Sequence, residues 1–218
     1  MAGSFDPSRL AAMRSEYEGA GLDEATAGDD PLALLERWLA DAVDAGVPEP
    51  NAVALATATT DAVPSVRIVL VKGLDERGIS FFTHYTSRKG TELETNPRAA
   101  ATFLWHPVQR QVRLEGRVER LPEAESDAYF ASRPRGARLG AVASQQSRPV
   151  EDRAALEARL HDAVGAVGDD DVPRPPTWGG YLLVPEVVEF WHGRPNRLHD
   201  RLVFRRAGDR WDRERLQP

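Results

Sequence analysis

Between Gln111 and Leu121 apolar and charged residues alternate, strictly so from Val112 to Glu119. Val112, Leu114, Gly116 and Val118 share one parity, and Arg113, Glu115, Arg117 and Glu119 share the other. A period of two places the two sets on opposite faces of a strand. One face must then sit on a core while the other meets water or charge partners, the arrangement of an antiparallel sheet with one covered face. A helix would scatter the same residues around its axis.

Other segments extend this pattern. Ala52–Thr59, Val66–Lys72, Ile79–Thr83 and Ala99–Trp105 are short apolar or β-branched runs, separated by turns such as Asp61–Pro64 and by Gly78. Three more runs, Gly180–Val184, Val187–His192 and Leu198–Arg205, lie near the C-terminus. Helices are expected from Pro31 to Gly46, capped by Asp30, then over Ser87–Glu94, Pro122–Ser132 and Val150–Val167. Consecutive strands with few helices between them predict an α+β fold built on a small barrel. Residues 1–28 are weakly patterned and read as a mobile arm with a short helix around Arg9–Glu18. Residues 29–218 read as a single domain, a size that suits one sizeable core.

Composition narrows the function. The net charge of −6 argues against nucleic-acid binding, and no apolar run is long enough to span a membrane. There is no cysteine, which excludes thiol nucleophiles, thiolate metal sites and disulfides. Residues 1–9 lack the layout of a signal peptide, so a reducing compartment, the cytoplasm, is expected. The five histidines lack ligand spacing with carboxylates, so no metal site is expected.

Against this acidic background the cations cluster. Ser87-Arg88-Lys89-Gly90 puts two cations in the first turn of a helix, where they oppose the helix dipole unless an anion such as phosphate joins them. The bland alternative is a tolerated surface pair. Arg67 and Lys72 bracket an apolar strand and, five residues apart, point to opposite faces, serving two different anions or merely ending a strand. Arg197, His199 and Arg201 would share one face of a strand, an unfavourable row unless an anionic or electron-rich ligand, or a set of salt bridges, lies against it. Tyr129 and Arg133, four apart on a helix, suit a phosphate but are a weak signal alone.

Taken in order, Met13-Arg-Ser-Glu-Tyr17, Glu36-Arg-Trp38, Arg67-Ile-Val-Leu-Val-Lys72, Ser87-Arg-Lys89, Asn96-Pro97, Arg110-Gln-Val112, Ser132-Arg-Pro-Arg135, Gln146-Ser147, Trp178-Gly-Gly180, Val188-Glu-Phe-Trp191 and Arg197-Leu-His-Asp-Arg201 resemble the pyridoxamine 5′-phosphate oxidase family over nearly the whole chain. The resemblance implies an FMN-binding split β-barrel with flanking helices, working as a homodimer with FMN in clefts at the interface. It implies oxidation of pyridoxamine or pyridoxine 5′-phosphate to pyridoxal 5′-phosphate, with O2 as acceptor and hydrogen peroxide released.

Residue by residue, the resemblance implies that Arg67, Ser87, Arg88 and Lys89 hold the FMN phosphate. Ile68, Val69, Leu70, Phe82, Thr83, Gln111, Gln146, Ser147, Trp191 and Arg201 would complete the flavin site. Lys72, Tyr129 and Arg133 would grip the substrate phosphate. Arg197 and His199 would act on the substrate ring as the catalytic pair, with Arg14 and Tyr17 closing over it. The chain departs from the family at Ala137, usually Ser and a phosphate donor, and at Arg138, Val142 and Phe82, usually Gln, Trp and Tyr. Arg138 is the candidate to replace the missing donor. The alternatives are a related split-barrel flavin oxidase of the phenazine-biosynthesis type, or a flavin-binding module without catalysis.

Overall fold

The structure is a computed structural model that describes residues 6, 9, 10, 13, 16–19 and 21–218. Eight strands carry the architecture: β1 (Ala52–Ala58), β2 (Pro64–Asp75), β3 (Gly78–His84), β4 (Arg98–Trp105), β5 (Arg110–Arg120), β6 (Trp178–His192), β7 (Asp200–Ala207) and β8 (Arg210–Arg215). Their order is β3-β2-β1-β4-β5-β6-β7-β8, and an additional β3–β6 pairing closes the first six into an antiparallel barrel. Closure leaves those six without a free edge along the pairing, while β7 and β8 continue outward from β6.

The alternation in β5 appears as expected: Val112, Leu114, Gly116 and Val118 are buried, and the charged residues between them are not. Inward residues of every barrel strand meet in one core, including Leu55, Phe81, Phe103, Leu114, Leu183 and Phe190. Helix α2 (Pro31–Asp44) adds Leu34, Leu35, Trp38 and Ala42 to this core. Asp30 accepts from the Leu32 and Ala33 N–H groups at 2.8 and 3.3 Å, Pro31 occupies the first position, and Trp38 meets Phe190 edge-on with centroids 5.1 Å apart. Before it lies a one-turn helix α1 (Glu24–Ala27), with Leu22 and Ala27 buried in the same core. Arg9 and Leu10 are helical, whereas residues 16–19 carry no helix.

Helix α3 (Arg88–Thr95) links β3 to β4, and α4 (Glu123–Ser132), α5 (Arg135–Ala143) and α6 (Arg153–Val167) link β5 to β6. A second apolar cluster, Phe130, Leu139, Ala141, Val172 and Trp178, joins these helices to the barrel. Among the described residues no helix is long and apolar enough to cross a membrane.

Four expectations need correction. The runs 180–184 and 187–192 are one strand, because Pro185 sits opposite Gly116 where the β5–β6 register shifts, so its missing N–H breaks no regular ladder. Helix α5 was not expected; two glycines dilute its pattern and only Leu139 and Ala141 are buried. The last-but-one strand begins at Asp200, which takes Arg197 and His199 off it. Strand β8 was not expected either, because this charged, half-exposed edge strand has no apolar period to read.

Candidate active site

Helix α3 places the first cations. The Ser87 hydroxyl donates to the His84 carbonyl at 2.7 Å and accepts from the Gly90 N–H at 3.3 Å, which caps the helix. Gly90 lets the helix start lie flush on the preceding turn, since a Cβ there would sit 2.2 Å from the Tyr85 carbonyl oxygen. Lys89 is turned inward and only 8% exposed. Its ammonium donates to Thr83 Oγ1 and Gln146 Oε1, both at 3.0 Å. Burial pushes it down to about 8, the Arg67 charge adds to this, and Glu92 opposes.

Glu92, one turn further along α3, was not singled out from the sequence. Its buried carboxylate accepts from the Thr57 hydroxyl, from the Ser65 hydroxyl at 2.6 Å, from Arg67 Nη2 at 3.3 Å and from Arg88 Nε at 2.9 Å. Burial alone would raise it; the hydrogen bonds from Ser65, Thr57 and Arg88 and the Arg67 charge outweigh that and hold it at about 2. The i,i+4 spacing of Arg88 and Glu92 was the available signal.

Above this cluster opens a cavity of about 420 Å³ lined by Ile68, Val69, Leu70, Lys72, Phe82, Thr83, Lys89, Tyr129, Arg133, Gln146 and Trp178. It gathers all three residues expected at the substrate phosphate, Lys72, Tyr129 and Arg133, but of those expected at the FMN phosphate only Lys89; Arg67, Ser87 and Arg88 do not line it. Phe82 stacks on Tyr129 with centroids 4.0 Å apart, and Trp178 lies nearly parallel to both. Arg133 follows the end of α4 in extended conformation, not on the helix face. Its guanidinium lies 5.0 Å from the Trp178 ring centroid, and its buried Nη1 has no hydrogen-bond partner among the described residues. Lys72 makes no hydrogen bond or ion pair with any described residue, and with Arg133 it leaves this cavity able to take an anion.

The remaining expected residues lie elsewhere. A second cavity, about 360 Å³, is lined by Met13, Glu16, Tyr17, Trp191, Arg194, Arg197 and His199, and it shares no lining residue with the first. Tyr17 meets the rings of Trp191 and His199 edge-on at 5.6 and 5.4 Å. Gln111 opens into an adjoining cavity that also touches Tyr17 and Trp191. Arg197 is not on a strand: Asn196 and Arg197 are consecutive left-handed residues (φ 56° and 62°), so the guanidinium is carried on a strained turn. The Arg194 N–H donates to His199 Nδ1 at 3.1 Å, which leaves Nε2 to carry the proton of the neutral ring. Burial, then the Arg197 charge, pushes His199 below its ordinary value, favouring that neutral form.

Arg201 opposes Trp191 in register and is committed to buried Glu189 at 2.8 Å. Ser147 follows Gln146 in the left-handed region (φ 69°) without lining the cavity. Arg14 lies outside the described residues. Ala137 and Arg138 do not line the first cavity, and Arg138 Nη1 is paired with Asp171 at 2.5 Å, so the expected replacement of the missing donor by Arg138 is not seen.

The sequence profile described as pyridoxamine 5′-phosphate oxidase matches residues 39–164, and that described as the pyridoxine 5′-phosphate oxidase C-terminal dimerisation region matches 178–218. The chain belongs to the pyridoxamine 5′-phosphate oxidase family. Relatives named pyridoxine/pyridoxamine 5′-phosphate oxidase are 57% identical in Salinibacter ruber (97% of this chain, 100% of that one) and 54% identical in Thermosynechococcus vestitus (96% and 99%). Among solved structures, PhzG from Burkholderia lata 383, in complex with tetrahydrophenazine-1-carboxylic acid, matches with a TM-score of 0.86 and 38% identity over 92% of this chain and 99% of that one. The barrel of this oxidase-family chain is therefore the family's split barrel. A second structure, from Nostoc punctiforme, shares the fold at a TM-score of 0.67 and 19% identity, covering 84% and 96%.

Proposed function

We propose that this protein oxidises pyridoxamine 5′-phosphate or pyridoxine 5′-phosphate to pyridoxal 5′-phosphate, using FMN, passing the electrons to O2 and releasing hydrogen peroxide. The observation that carries this reading is one cavity lined by three cations, Lys89, which is hydrogen-bonded to Thr83 and Gln146, and Lys72 and Arg133, of which Arg133 leaves a buried Nη1 unpartnered. One cation already held in a polar nest and two left without hydrogen-bonded partners suit two phosphate-bearing molecules better than one. The family membership and the identities above 50% point the same way.

The donor set fits FMN: two guanidiniums, an ammonium and a capped helix end suit a phosphate, and the apolar run Ile68–Leu70 with Phe82 suits a ring. When bound, FMN supplies the two-electron acceptor chemistry that no side chain offers. The protein's own part is to bind and orient. Arg67, Ser87, Arg88 and Lys89 hold the flavin phosphate, with Thr83, Gln111, Gln146, Ser147, Trp191 and Arg201 around the rest. Lys72, Tyr129 and Arg133 fix the substrate phosphate, which supplies proximity. His199 donates from Nε2 to an acceptor on the substrate ring, and Arg197 steers proton loss from the reacting carbon. Tyr17, with Arg14, closes over the ring and excludes water.

The two cavities of one chain hold complementary halves of this set, which supports a homodimer in which each site draws on both copies; the matched dimerisation region supports it too. Its expected location is the cytoplasm, on the strength of the cysteine-free composition.

A phenazine-type oxidase is the second reading, favoured by the PhzG match and by the alanine at 137. Purified protein mixed with FMN under air decides between them. Aldehyde and peroxide formed together from pyridoxamine 5′-phosphate support the proposal. Turnover of a reduced phenazine carboxylate alone supports the second reading, and flavin binding with no peroxide from either makes the protein a binding module.

A further inference from the structure

Glu92 stands at the centre of the phosphate-facing cations yet has no part in gripping or oxidising anything by itself. It is an anion in the region where an anion is to be bound, only 5% exposed. An isolated buried carboxylate is costly, and an anion beside a phosphate site is a repulsive neighbour. Its partners show what compensates. Oε2 accepts from the Thr57 and Ser65 hydroxyls of β1 and β2 and from Arg67 Nη2, while Oε1 accepts from Arg88 Nε. Arg67 is braced further by the Leu55 carbonyl at 3.1 Å and by Thr57. One carboxylate thus ties two guanidiniums, from a strand and a helix, into one fixed arrangement. Arg88 remains 60% exposed, so its other N–H groups stay free for a ligand.

We infer that Glu92 is the positioning residue of the flavin phosphate site, holding Arg67 and Arg88 ready and setting the site's charge. Three cations, Arg67, Arg88 and Lys89, less one carboxylate leave a net charge of two, which matches a dianionic phosphate monoester. Without Glu92 the two arginines and Lys89 would repel one another, and ordering their side chains would fall on the binding step. The inference rests on the FMN reading above, and it goes beyond it by making a residue that needs no contact with the flavin decide whether the phosphate is recognised.

The test compares FMN with riboflavin, which lacks the phosphate, by fluorescence titration of the flavin-free protein. Glu92→Gln keeps the shape but removes the charge. Its expected effect is an FMN affinity about 10- to 100-fold weaker, the loss typical of charge-assisted hydrogen bonds, with riboflavin affinity unchanged. Thr57→Val, which deletes one donor to the carboxylate, shifts FMN the same way by a smaller factor and serves if Glu92→Gln fails to fold. Equal losses for both flavins would make Glu92 merely structural. Unchanged or tighter FMN binding would mean that the carboxylate competes with the phosphate, and either result overturns the inference. Wild-type protein that binds neither flavin would instead overturn the FMN reading itself.

Discussion

Lys89 is a cation held in a buried polar nest, and its proton carries a sign that can be measured. Its folded value is about 8 against an ordinary 10.5, with burial as the main cause. Between those values the unfolded chain holds a proton that the folded chain lacks, so this group makes the flavin-free protein more stable as pH rises through that window. Phosphate affinity runs the other way. Above pH 8 a proton must be taken up on binding, and FMN affinity should fall by up to about tenfold per pH unit. Lys89→Met should bind FMN about 10- to 100-fold more weakly and lose this slope; a flavin titration on both sides of pH 8 checks both. Arg133 makes a different prediction. Arg133→Ala should raise the Michaelis constant for pyridoxamine 5′-phosphate by about 10- to 100-fold with FMN affinity unchanged. Arg133→Lys should recover only part of this, because a lysine keeps the charge but not the planar group over Trp178. Steady-state kinetics at saturating FMN separates the two variants. Lys89 and Arg133 stand out in the sequence by cation spacing, and Glu92 shows there only as the i,i+4 neighbour of Arg88: nothing local says that a helical glutamate will be buried against Thr57 and Ser65 on two strands.

At the scale of elements, the β5–β6 pair decides where Trp191 points. The register shift at Glu115/Gly116 lets β6 pass Pro185 and continue unbroken to His192. Gly116 is required there by close approach, since a Cβ would sit 2.0 Å from the Val184 carbonyl oxygen. Backbone cannot yield as a flexible side chain can. Gly116→Ala should therefore cost at least about 1–3 kcal/mol, the usual range for overpacking, seen as a lower midpoint in urea. If the midpoint holds, the bulge is not the constraint. The sequence shows both strands through their alternation but divides β6 at Pro185, because a proline inside a strand pattern normally ends it. Only the partner strand, more than 60 residues away, supplies the bulge that accommodates it.

The whole molecule exposes apolar residues beside both cavities. Val66 and Ile68 on β2 are 68% and 66% exposed, and Leu104 on β4 is 62% exposed. Ile68 lines the cavity of Lys89 and Arg133, and Leu104 lines the one next to Trp191 and Tyr17. Burying these surfaces against a second copy would join the two halves of the site and cover area that water otherwise meets. If the protein binds FMN as proposed, Ile68→Asp should then give a monomer that no longer holds the yellow flavin, measured by light scattering together with flavin absorbance. A variant that stays dimeric and yellow would place the interface elsewhere.

The features already written in the amino-acid order are local: the period-two strands of the barrel, the Asp30 and Ser87 caps, and the order of cation motifs that marks the family. Each follows from residues a few positions apart, where period and capping chemistry act directly. Tertiary packing set the expected site residues around separate cavities and formed the turn that takes Arg197 and His199 off β7. It also tied Arg138 to Asp171 and buried Glu92 under two arginines. These depend on strand register and burial between segments tens of residues apart, and no local pattern encodes which distant partner a side chain will meet.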